Sequence, residues 1–398
     1  MKQDMVGSCD IFCSVVDNFG DIGVSWRLAR LLAAEYSISV RLWVDDLGSF
    51  KQLCPTVDAL LATQRCKDVE IHLWTEDFPG IEPAELVVET FACKLPPAYL
   101  QAMIECENKP VWINLEYLSA EPWVAGCHGL PSPQPGLPLV KYFYFPGFTL
   151  ETGGLLLERD LLARREAFLA DQLAKESYWK SLGVPPRVTD ELRISIFTYE
   201  NNAIENLLEC MAAGNSITRC MIPEGRVLPQ VAAFFGLQSL QAGDIVSRDS
   251  LYVHVLPFVE QEAYDLLLWS CDLNFVRGED SCVRALWAAK PFVWHIYPQH
   301  DGVHMKKLQA FLDLYGARLD PEARSAMQEF WLLWNQGDSA DALNVGVSWN
   351  NFMSNRSTLV AHANVWVTQL ATNNLALNLL DFSRKVGTMR AFENQAGR

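Results

Sequence analysis

The sequence predicts an α/β protein with two doubly wound domains in tandem. Three observations carry this prediction: a length of 398 residues, a composition that is 50% apolar and 20% charged, and strand-like and helix-like patterns that alternate twice. At about 150 residues per domain, the length suits two or three domains. The composition is that of an ordered globular protein. Alternating strands and helices indicate parallel sheets covered on both faces.

The charge and the cysteines exclude several classes of protein. Aspartate and glutamate number 48 against 32 lysines and arginines, which gives a formal charge of −16. Direct binding to nucleic acid or to an anionic membrane is therefore not expected as the main task. We expect no secretory leader, and the sequence contains no apolar run of 18 residues or more. The 11 cysteines form no CxxC pair. We therefore expect a reduced, cytoplasmic protein without a membrane-spanning helix.

The first half alternates apolar runs with helix-like segments. The run at 10–16 predicts a buried strand, and residues 23–36 have apolar side chains at helical spacing. Four further strands are predicted at 38–44, 69–74, 86–89 and 110–115. Together these elements form the first predicted domain, an N-terminal Rossmann-like domain of residues 1–150.

The middle of the chain separates the two halves. Residues 126–154 are rich in proline and glycine, which predicts loops. Residues 156–182 form one charged helical stretch that ends before Pro185 and Pro186. We therefore predict a linker with a helix at residues 151–190.

A second alternation of strands and helices begins at Leu192. Strands are predicted at 193–199, 216–221, 251–256, 272–276 and 291–296. Helices are predicted between them at 203–213, 227–235, 261–270 and 282–289. This second Rossmann-like domain covers residues 191–355. The helices of residues 356–398 are expected to pack back on the first domain.

Ligands of open α/β sheets bind beyond the carboxyl ends of the strands, so the residues after each strand are candidates for a site. After the first strand, Asp17 and Asp21 lie four residues apart, and Gly20 and Gly23 permit close approach to the backbone. The loop lacks the GxGxxG fingerprint of dinucleotide-binding enzymes. A carboxylate here is a candidate general base. The alternative is that Asp17 or Asp21 only caps the helix.

A charged segment follows the fourth predicted strand of the second half. Gly278 allows a turn, Ser281 can cap the next helix, and the amides of the first helical turn favour a phosphate. Arg277 can add charge-assisted contacts to a diphosphate. Glu279 and Asp280 can accept hydrogen bonds from sugar hydroxyls. The alternative is a capped helix with a solvated cluster of charges.

Aromatic and polar side chains gather at other strand ends of the second half, among them Phe197, Tyr199, Phe258, Gln261 and Tyr297. A nucleobase is held well by stacking on an aromatic ring, with a few hydrogen bonds that fix its identity. For any single ring, packing in the core is the alternative. His300 and His304 have helical spacing but lack an evident third ligand, so we expect no metal site.

Two segments resemble one known family. Residues 17–30 (DNFGDIGVSWRLAR) and residues 274–299, which begin NFVRGEDSCVR, are similar to two signature blocks of the bacterial protein-arginine rhamnosyltransferases that modify translation elongation factor P. The similarity extends over the whole chain. It implies a GT-B glycosyltransferase with two facing Rossmann-like domains, without a metal or another cofactor.

The same resemblance implies the substrates. The donor is expected to be dTDP-β-L-rhamnose, bound mainly by the C-terminal domain. The acceptor is expected to be one arginine at a loop tip of elongation factor P. Transfer is expected to invert the anomeric configuration and give an α-rhamnosyl arginine.

The resemblance also implies roles for individual residues. Asp21 is the leading candidate for the general base, Asp17 is a second essential carboxylate, and Glu279 matches the family's other functional carboxylate. Asp280 and Ser281 are expected at the diphosphate. The other implied substrate-binding residues are Asn18, Phe19, Gly20, Phe197, Tyr199, Phe258, Gln261, Arg277, Gly278 and Tyr297.

Two other functions are open at this point. One is a GT-B enzyme that uses another nucleotide-sugar or a small-molecule acceptor. The other is a non-catalytic protein that binds the translation machinery. The carboxylates at positions 17, 21 and 279 favour an enzyme over such a binding protein.

Overall fold

The computed structural model describes residues 6–16, 19–299, 302–336 and 342–396. The chain divides into two compact units, each with its own sheet. Unit 1 contains Met1–Arg159 and Leu370–Arg398, and unit 2 contains Asp160–Gln369.

Unit 1 is built on an eight-stranded sheet. Its strands are β1 Ser8–Cys13, β2 Ser39–Val44, β3 Thr63–Cys66, β4 Val69–Leu73, β5 Leu86–Thr90, β6 Val111–Leu115, β7 Pro131–Pro133 and β8 Val140–Tyr144. The spatial order is β3-β4-β2-β1-β5-β6-β8-β7, with β3 and β7 antiparallel at the edges and the inner strands parallel. Every residue of β5 and β6 is buried, as expected for parallel strands covered on both faces.

The helices of unit 1 connect these strands. The first four are α1 Gly20–Tyr36, α2 Leu47–Leu53, α3 Pro97–Glu105 and α4 Trp123–Cys127. A buried carboxylate ties the sheet to α3, because Asp10 accepts hydrogen bonds from the Tyr99 hydroxyl at 2.5 Å and from Arg41 Nε at 2.6 Å. These charge-assisted bonds offset the cost of burying the charge of Asp10.

Unit 2 is built on a six-stranded sheet. Its strands are β9 Leu192–Ile196, β10 Thr218–Pro223, β11 Ile245–Arg248, β12 Leu251–Leu256, β13 Leu273–Arg277 and β14 Phe292–His295. The order is β11-β12-β10-β9-β13-β14, and only the pairing of the edge strand β11 is antiparallel among the pairs of this sheet described by the structure.

Helices surround the sheet of unit 2. They are α5 Leu161–Ala170, α6 Gln172–Ser181, α7 Ile204–Ala212, α8 Leu228–Phe234, α9 Gln261–Ser270, α10 Gly278–Ala288, α11 Val303–Tyr315, α12 Pro321–Asn335, α13 Ala342–Ser354 and α14 Arg356–Leu370. A short 3₁₀ helix, Gly316–Arg318, joins α11 to α12. The helices α11 and α12 pack aromatic rings on β14, because the centroids of Phe311 and Trp331 lie 6.3 Å and 5.0 Å from that of Phe292.

The first compact unit runs to Arg159, whereas the first domain predicted from the sequence ends at residue 150. Residues 160–190 of the predicted linker belong to unit 2. The reason is packing, because the buried Arg165 of α5 donates to the Trp287 carbonyl at 2.5 Å. The helix α14 lies in unit 2 up to Gln369, and the final helix, α15 Leu375–Ala396, belongs to unit 1.

The prediction of loops in the middle of the chain was partly wrong, because its prolines are compatible with a strand at this position. The predicted loops of residues 126–154 contain β7, β8 and part of α4. Pro131 and Pro133 are compatible with β7 because this strand lies at the sheet edge, where a missing N–H costs no ladder bond. The single helix predicted at 156–182 is in fact α5 and α6, which are separated by Asp171. Asp171 caps α6 by accepting a hydrogen bond from the Ala174 N–H at 3.0 Å.

Two general features concern the chain as a whole. All 11 cysteines are free, and six of them are buried. Among the helices that the structure describes, none has both the length and the apolar character that a bilayer crossing requires.

Candidate active site

The two sequence motifs lie at equivalent positions of the two sheets. In unit 1, β1 lies between β2 and β5, and in unit 2, β9 lies between β10 and β13. The strand order reverses at these points, and open α/β sheets bind ligands at the carboxyl ends of such strands. The β1–α1 loop, whose described residues are 14–16 and 19, starts at this point of unit 1. In unit 2, residues 197–199 follow β9, and α10 follows β13 directly.

Asp21 is a buried carboxylate at the start of α1. Its side chain accepts a hydrogen bond from the Val16 N–H at 2.9 Å, and only 2% of the residue is exposed. The N-cap of α1 is Phe19, which makes no side-chain capping bond. Asp21 therefore lies inside the first helical turn and is not the cap. The predicted site residues Asp17 and Asn18 lie outside the described residues.

A second carboxylate supports the same loop. Asp45 follows β2, and its Oδ1 accepts a hydrogen bond from the Val15 N–H at 2.8 Å. Its Oδ2 accepts from the Ser14 hydroxyl at 2.5 Å. Asp45 and Asp21 thus hold three consecutive residues of the β1–α1 loop. The carboxylates of Asp45 and Asp21 therefore fix the backbone of the β1–α1 loop. Their negative charge is suited to a cationic group such as a guanidinium.

Helix α1 begins at Gly20, three residues before the start predicted from the sequence. Phe19 and Gly20 are half-buried at this helix start, and the Phe19 carbonyl accepts a hydrogen bond from the Gly23 N–H at 2.9 Å. Gly23 thus belongs to the helical hydrogen-bonding pattern rather than to the loop. The predicted contact of Phe19 and Gly20 with substrate stays a prediction.

In unit 2, an arginine lies between the ends of two neighbouring strands. Arg277 is the last residue of β13, and its guanidinium carbon lies 4.4 Å from the centre of the Phe197 ring. The same carbon lies 5.0 Å from the centre of the Tyr199 ring. Such contacts combine apolar packing with attraction between a cation and the ring electrons. The structure therefore brings together three residues that the sequence selected separately.

Other predicted aromatic residues extend this group. The Phe258 ring lies 6.2 Å from the Phe197 ring, and the Tyr297 ring lies 5.5 Å from the Tyr199 ring, measured between centroids. Both pairs have an edge-to-face geometry, which aromatic rings favour. Tyr297 is partly exposed, at 38%. The group thus presents an aromatic surface beside the carboxyl edge of the sheet.

Helix α10 begins four residues earlier than predicted. Its N-cap is Arg277, and Gly278 has a φ of 62°, a left-handed conformation that favours glycine. Ser281 therefore lies at the fourth position of the helix and cannot be its cap, which corrects the prediction that it caps. The half-buried Ser281 still lies in the first turn, near the amides that a helix presents to an anion.

The two acidic residues of α10 are held by cations. Asp280 Oδ2 accepts hydrogen bonds from Arg284 Nε at 2.7 Å and from Gln261 Nε2 at 2.9 Å. Glu279 pairs with Lys307 of α11 at 2.8 Å. The side chains of Glu279 and Lys307 are each 16% exposed. These contacts fix the orientation of both carboxylates at the start of α10. They also connect Gln261 to Asp280 by a hydrogen bond.

A buried histidine lies beneath the aromatic residues. His295 Nδ1 lies 2.5 Å from the Thr198 hydroxyl. Burial, and next the positive charge of Arg277, lower the pKa of His295 to about 3. The imidazole is therefore neutral at neutral pH, and His295 serves as a hydrogen-bonding support for the residues that follow β9.

The described residues include one of the two histidines considered as metal ligands. Among the described residues, no group of three or more histidine, cysteine, aspartate or glutamate side chains is arranged to hold a metal ion. His304 accepts a hydrogen bond from the Gln299 N–H at 3.1 Å. The other histidine considered, His300, lies outside the described residues.

Sequence reasoning missed three supporting residues. Asp45 follows a strand, so the same rule that selected Asp21 could have found it. Arg284 lies four residues after Asp280, a spacing that brings side chains together on a helix. Lys307 is 28 residues from Glu279, and no local signal connects the two.

The chain is similar in sequence to known proteins over most of its length. The family model described as Elongation-Factor P (EF-P) rhamnosyltransferase EarP matches residues 9–384. A protein-arginine rhamnosyltransferase of Pseudomonas putida is 46% identical over 381 residues, which cover 96% of this chain and 99% of the relative. Another, from Pseudomonas aeruginosa, is 49% identical over 332 residues, 83% of this chain and 88% of the relative.

A solved structure resembles the chain over nearly its full length. It is described as the structural basis for EarP-mediated arginine glycosylation of translation elongation factor EF-P. The sequences are 35% identical, and the TM-score is 0.68. The match covers 95% of this chain and 99% of the solved one.

Proposed function

The chain belongs to the EarP family of EF-P rhamnosyltransferases, and on that premise we propose that it transfers L-rhamnose from dTDP-β-L-rhamnose to an arginine side chain of translation elongation factor P. The enzyme class, protein-arginine rhamnosyltransferase, follows from the family, and the GT-B type of α/β fold predicted from the sequence is confirmed. The donor, the acceptor protein and inversion at the anomeric carbon are the proposal. A translation factor as acceptor would place the reaction in the cytoplasm.

The chemistry of the acceptor explains the need for carboxylates. A guanidinium stays protonated up to a pH of about 12, so it is a poor nucleophile. In the proposed reaction a guanidinium nitrogen attacks the anomeric carbon, the bond from that carbon to the diphosphate oxygen breaks, and the nitrogen loses one proton. The buried carboxylate of Asp21, fixed by the Val16 N–H, is suited to orient the guanidinium and accept that proton. Asp17 is the second candidate.

This carboxylate at the switch point of unit 1 is the observation that carries the proposal. Inversion needs one displacement, in which the nucleophile attacks the face opposite the leaving diphosphate. We therefore propose that unit 1 binds the acceptor and unit 2 binds the donor. The overall charge of −16 also suits a partner that presents a basic side chain.

The donor is proposed to bind at the start of α10. The amides of its first turn and the Arg277 guanidinium are suited to the diphosphate. Phe197 and Phe258 are suited to hold the thymine base, with Tyr199, Tyr297 and Gln261 around them. Glu279 is suited to accept hydrogen bonds from the sugar. Its pairing with Lys307 at 2.8 Å supports a fixed orientation for this carboxylate.

Intact-mass analysis tests the proposal directly. Purified elongation factor P is incubated with this protein and dTDP-β-L-rhamnose, and fragmentation then locates any added group. We expect one deoxyhexose on one arginine, and no transfer from UDP-glucose. If transfer occurred only from another nucleotide-sugar, the proposed donor would be wrong. If the protein bound elongation factor P without any change in mass, it would be a non-catalytic partner of the factor.

Metal dependence is tested in the same assay. The proposed transition state is stabilised by helix amides and Arg277, so turnover is expected to be unchanged by excess EDTA. A loss of activity that Mg²⁺ or Mn²⁺ restores would contradict this expectation. The anomeric configuration of the product, read by NMR, tests inversion separately.

A further inference from the structure

A cavity lies at the amino edge of the unit 2 sheet, with a volume of about 900 Å³. In its wall, Asp272 directly precedes β13, Lys290 shortly precedes β14, and residues 183–187 precede β9. The candidate donor residues follow the carboxyl ends of β9 and β13. At about 3.3 Å per residue, a five-residue strand separates the two edges by roughly 15 Å. The cavity is therefore distinct from the candidate donor site.

The walls of the cavity are largely apolar. They include Leu169, Trp179, Val184, Pro185 and Trp269. The two tryptophans come from α6 and α9, whose packing on the sheet buries most of each indole. Its size lies within the roughly 300–1,000 Å³ typical of pockets that bind small organic molecules. Shape and lining thus suit a small molecule with an apolar or aromatic body.

The charged residues of the cavity are mostly basic, although the chain as a whole carries a charge of −16. Its four cations and two carboxylates are Lys175, Lys180, Arg187, Lys290, Glu176 and Asp272. The imbalance favours an anionic ligand over a cationic one, because the potential inside a concave, low-dielectric site follows its local charges.

Lys290 distinguishes this cavity from a merely apolar groove. Its side chain is half-buried, and burial lowers the pKa of its ammonium group, while the nearby charge of Asp272 partly opposes this shift. Within the part of the chain that the structure describes, the ammonium makes no hydrogen bond or ion pair. The two oxygens of Asp272 are already bonded, one to Arg187 at 3.0 Å and the other to the Arg193 N–H at 2.8 Å. Lys175 donates to the Leu169 carbonyl at 2.8 Å.

We propose that this cavity binds a small organic anion, with its apolar body against Leu169, Pro185 and the exposed part of Trp179 and its acidic group on Lys290. A half-buried ammonium that no hydrogen bond satisfies is costly, and a bound carboxylate, sulfonate or phosphate group would offset that cost. The site does not depend on the proposed sugar donor, because none of its lining residues belongs to the candidate donor site.

Binding of 8-anilinonaphthalene-1-sulfonate, an aromatic sulfonate, tests the proposal by fluorescence titration of the full chain. Lys290→Gln is expected to weaken binding by about tenfold to a hundredfold, the range for losing a hydrogen bond to a charged group. Lys290→Arg keeps the charge and is expected to retain affinity. Lys51→Gln, at an exposed position of α2 in unit 1, is the control and is expected to bind as the parent protein does.

Two results would overturn the proposal. One is a Lys290→Gln protein that unfolds at the same temperature as the parent and binds the probe equally well. The other is displacement of the probe by dTDP, which would assign the probe to the donor site. Retained probe binding in the presence of saturating dTDP, together with loss in Lys290→Gln, is the result that the proposal requires.

Discussion

The two motif regions hold their carboxylates in different ways. In the β1–α1 loop of unit 1, the described bonds to Asp21 and Asp45 come from backbone N–H groups and one hydroxyl of the loop itself. At the start of α10 in unit 2, Glu279 and Asp280 are paired with Lys307 and Arg284. One region uses carboxylates to shape a loop, and the other uses cations to fix carboxylates.

This difference suggests a division of labour. A carboxylate held by N–H groups keeps its capacity to meet an incoming cation, which suits an arginine acceptor. Carboxylates that are already neutralised by cations repel a diphosphate less, so they are compatible with a donor that carries negative charge. The predictions below test this contrast through substitutions that affect one region and leave the other intact.

The largest effect is expected for Asp21→Asn. The amide keeps the shape and can still accept from the Val16 N–H, but it cannot take a proton. Loss of a general base costs about 10²–10⁴-fold in rate. Single-turnover rhamnosyl transfer measured by mass checks this value. Near-normal turnover would remove Asp21 from the base role and leave Asp17 as the candidate.

Glu279→Ala is expected to impair donor binding as well as turnover. It removes the proposed contact with the sugar and leaves the half-buried Lys307 without its 2.8 Å partner. Losing a charged hydrogen-bonding partner typically costs about tenfold to a hundredfold. Lys307→Gln, measured alone and with Glu279→Ala, completes a double-mutant cycle. Strictly additive effects would show that the pair does not act as a unit.

Asp45→Asn is expected to raise the KM for the acceptor by several-fold to about tenfold while donor affinity stays constant. The reason is that the loop loses one charge-assisted bond, worth about 1.5 kcal/mol at this exposed position. The neighbouring Asp46 is a matched control, because it caps α2 by accepting from the Ser49 N–H at 3.0 Å. Asp46→Asn should leave both kinetic constants unchanged. Equal kinetic effects of the two substitutions would contradict a specific role for Asp45.

The smallest effect is expected for Phe258→Leu, which replaces a ring by an aliphatic side chain. An aromatic contact is worth about 0.5–1.5 kcal/mol, so dTDP should bind about two- to tenfold more weakly. Turnover at saturating donor should stay close to that of the parent protein. Unchanged dTDP affinity would show that the thymine base does not contact Phe258.

The sequence predicted the inner strands better than the edges. Strands such as β12, Leu251–Leu256, agree with the prediction because parallel strands buried on both faces leave a continuous apolar run. The edge strands β3 and β11 were missed, since they are short and mostly exposed and so carry no such run. The short helix α2 was missed as well, because seven residues give little periodicity.

Part of the candidate site could be selected from the sequence, and the role of its residues stays a prediction. The rule that ligands bind beyond strand ends selected Asp21, Arg277 and Phe197 from sequence position alone. The partners that fix such residues come from distant segments, as in the pairing of Glu279 with Lys307. Only the folded chain reveals these contacts, because no periodic pattern connects residues on different helices.

One measurement tests the division of labour most directly, namely calorimetric titration of dTDP-β-L-rhamnose into the parent protein, Asp21→Asn and Glu279→Ala. The account predicts that Asp21→Asn binds the donor with parental affinity although it barely turns over, whereas Glu279→Ala binds it more weakly. Lost donor affinity in Asp21→Asn, with Glu279→Ala unaffected, would contradict the account.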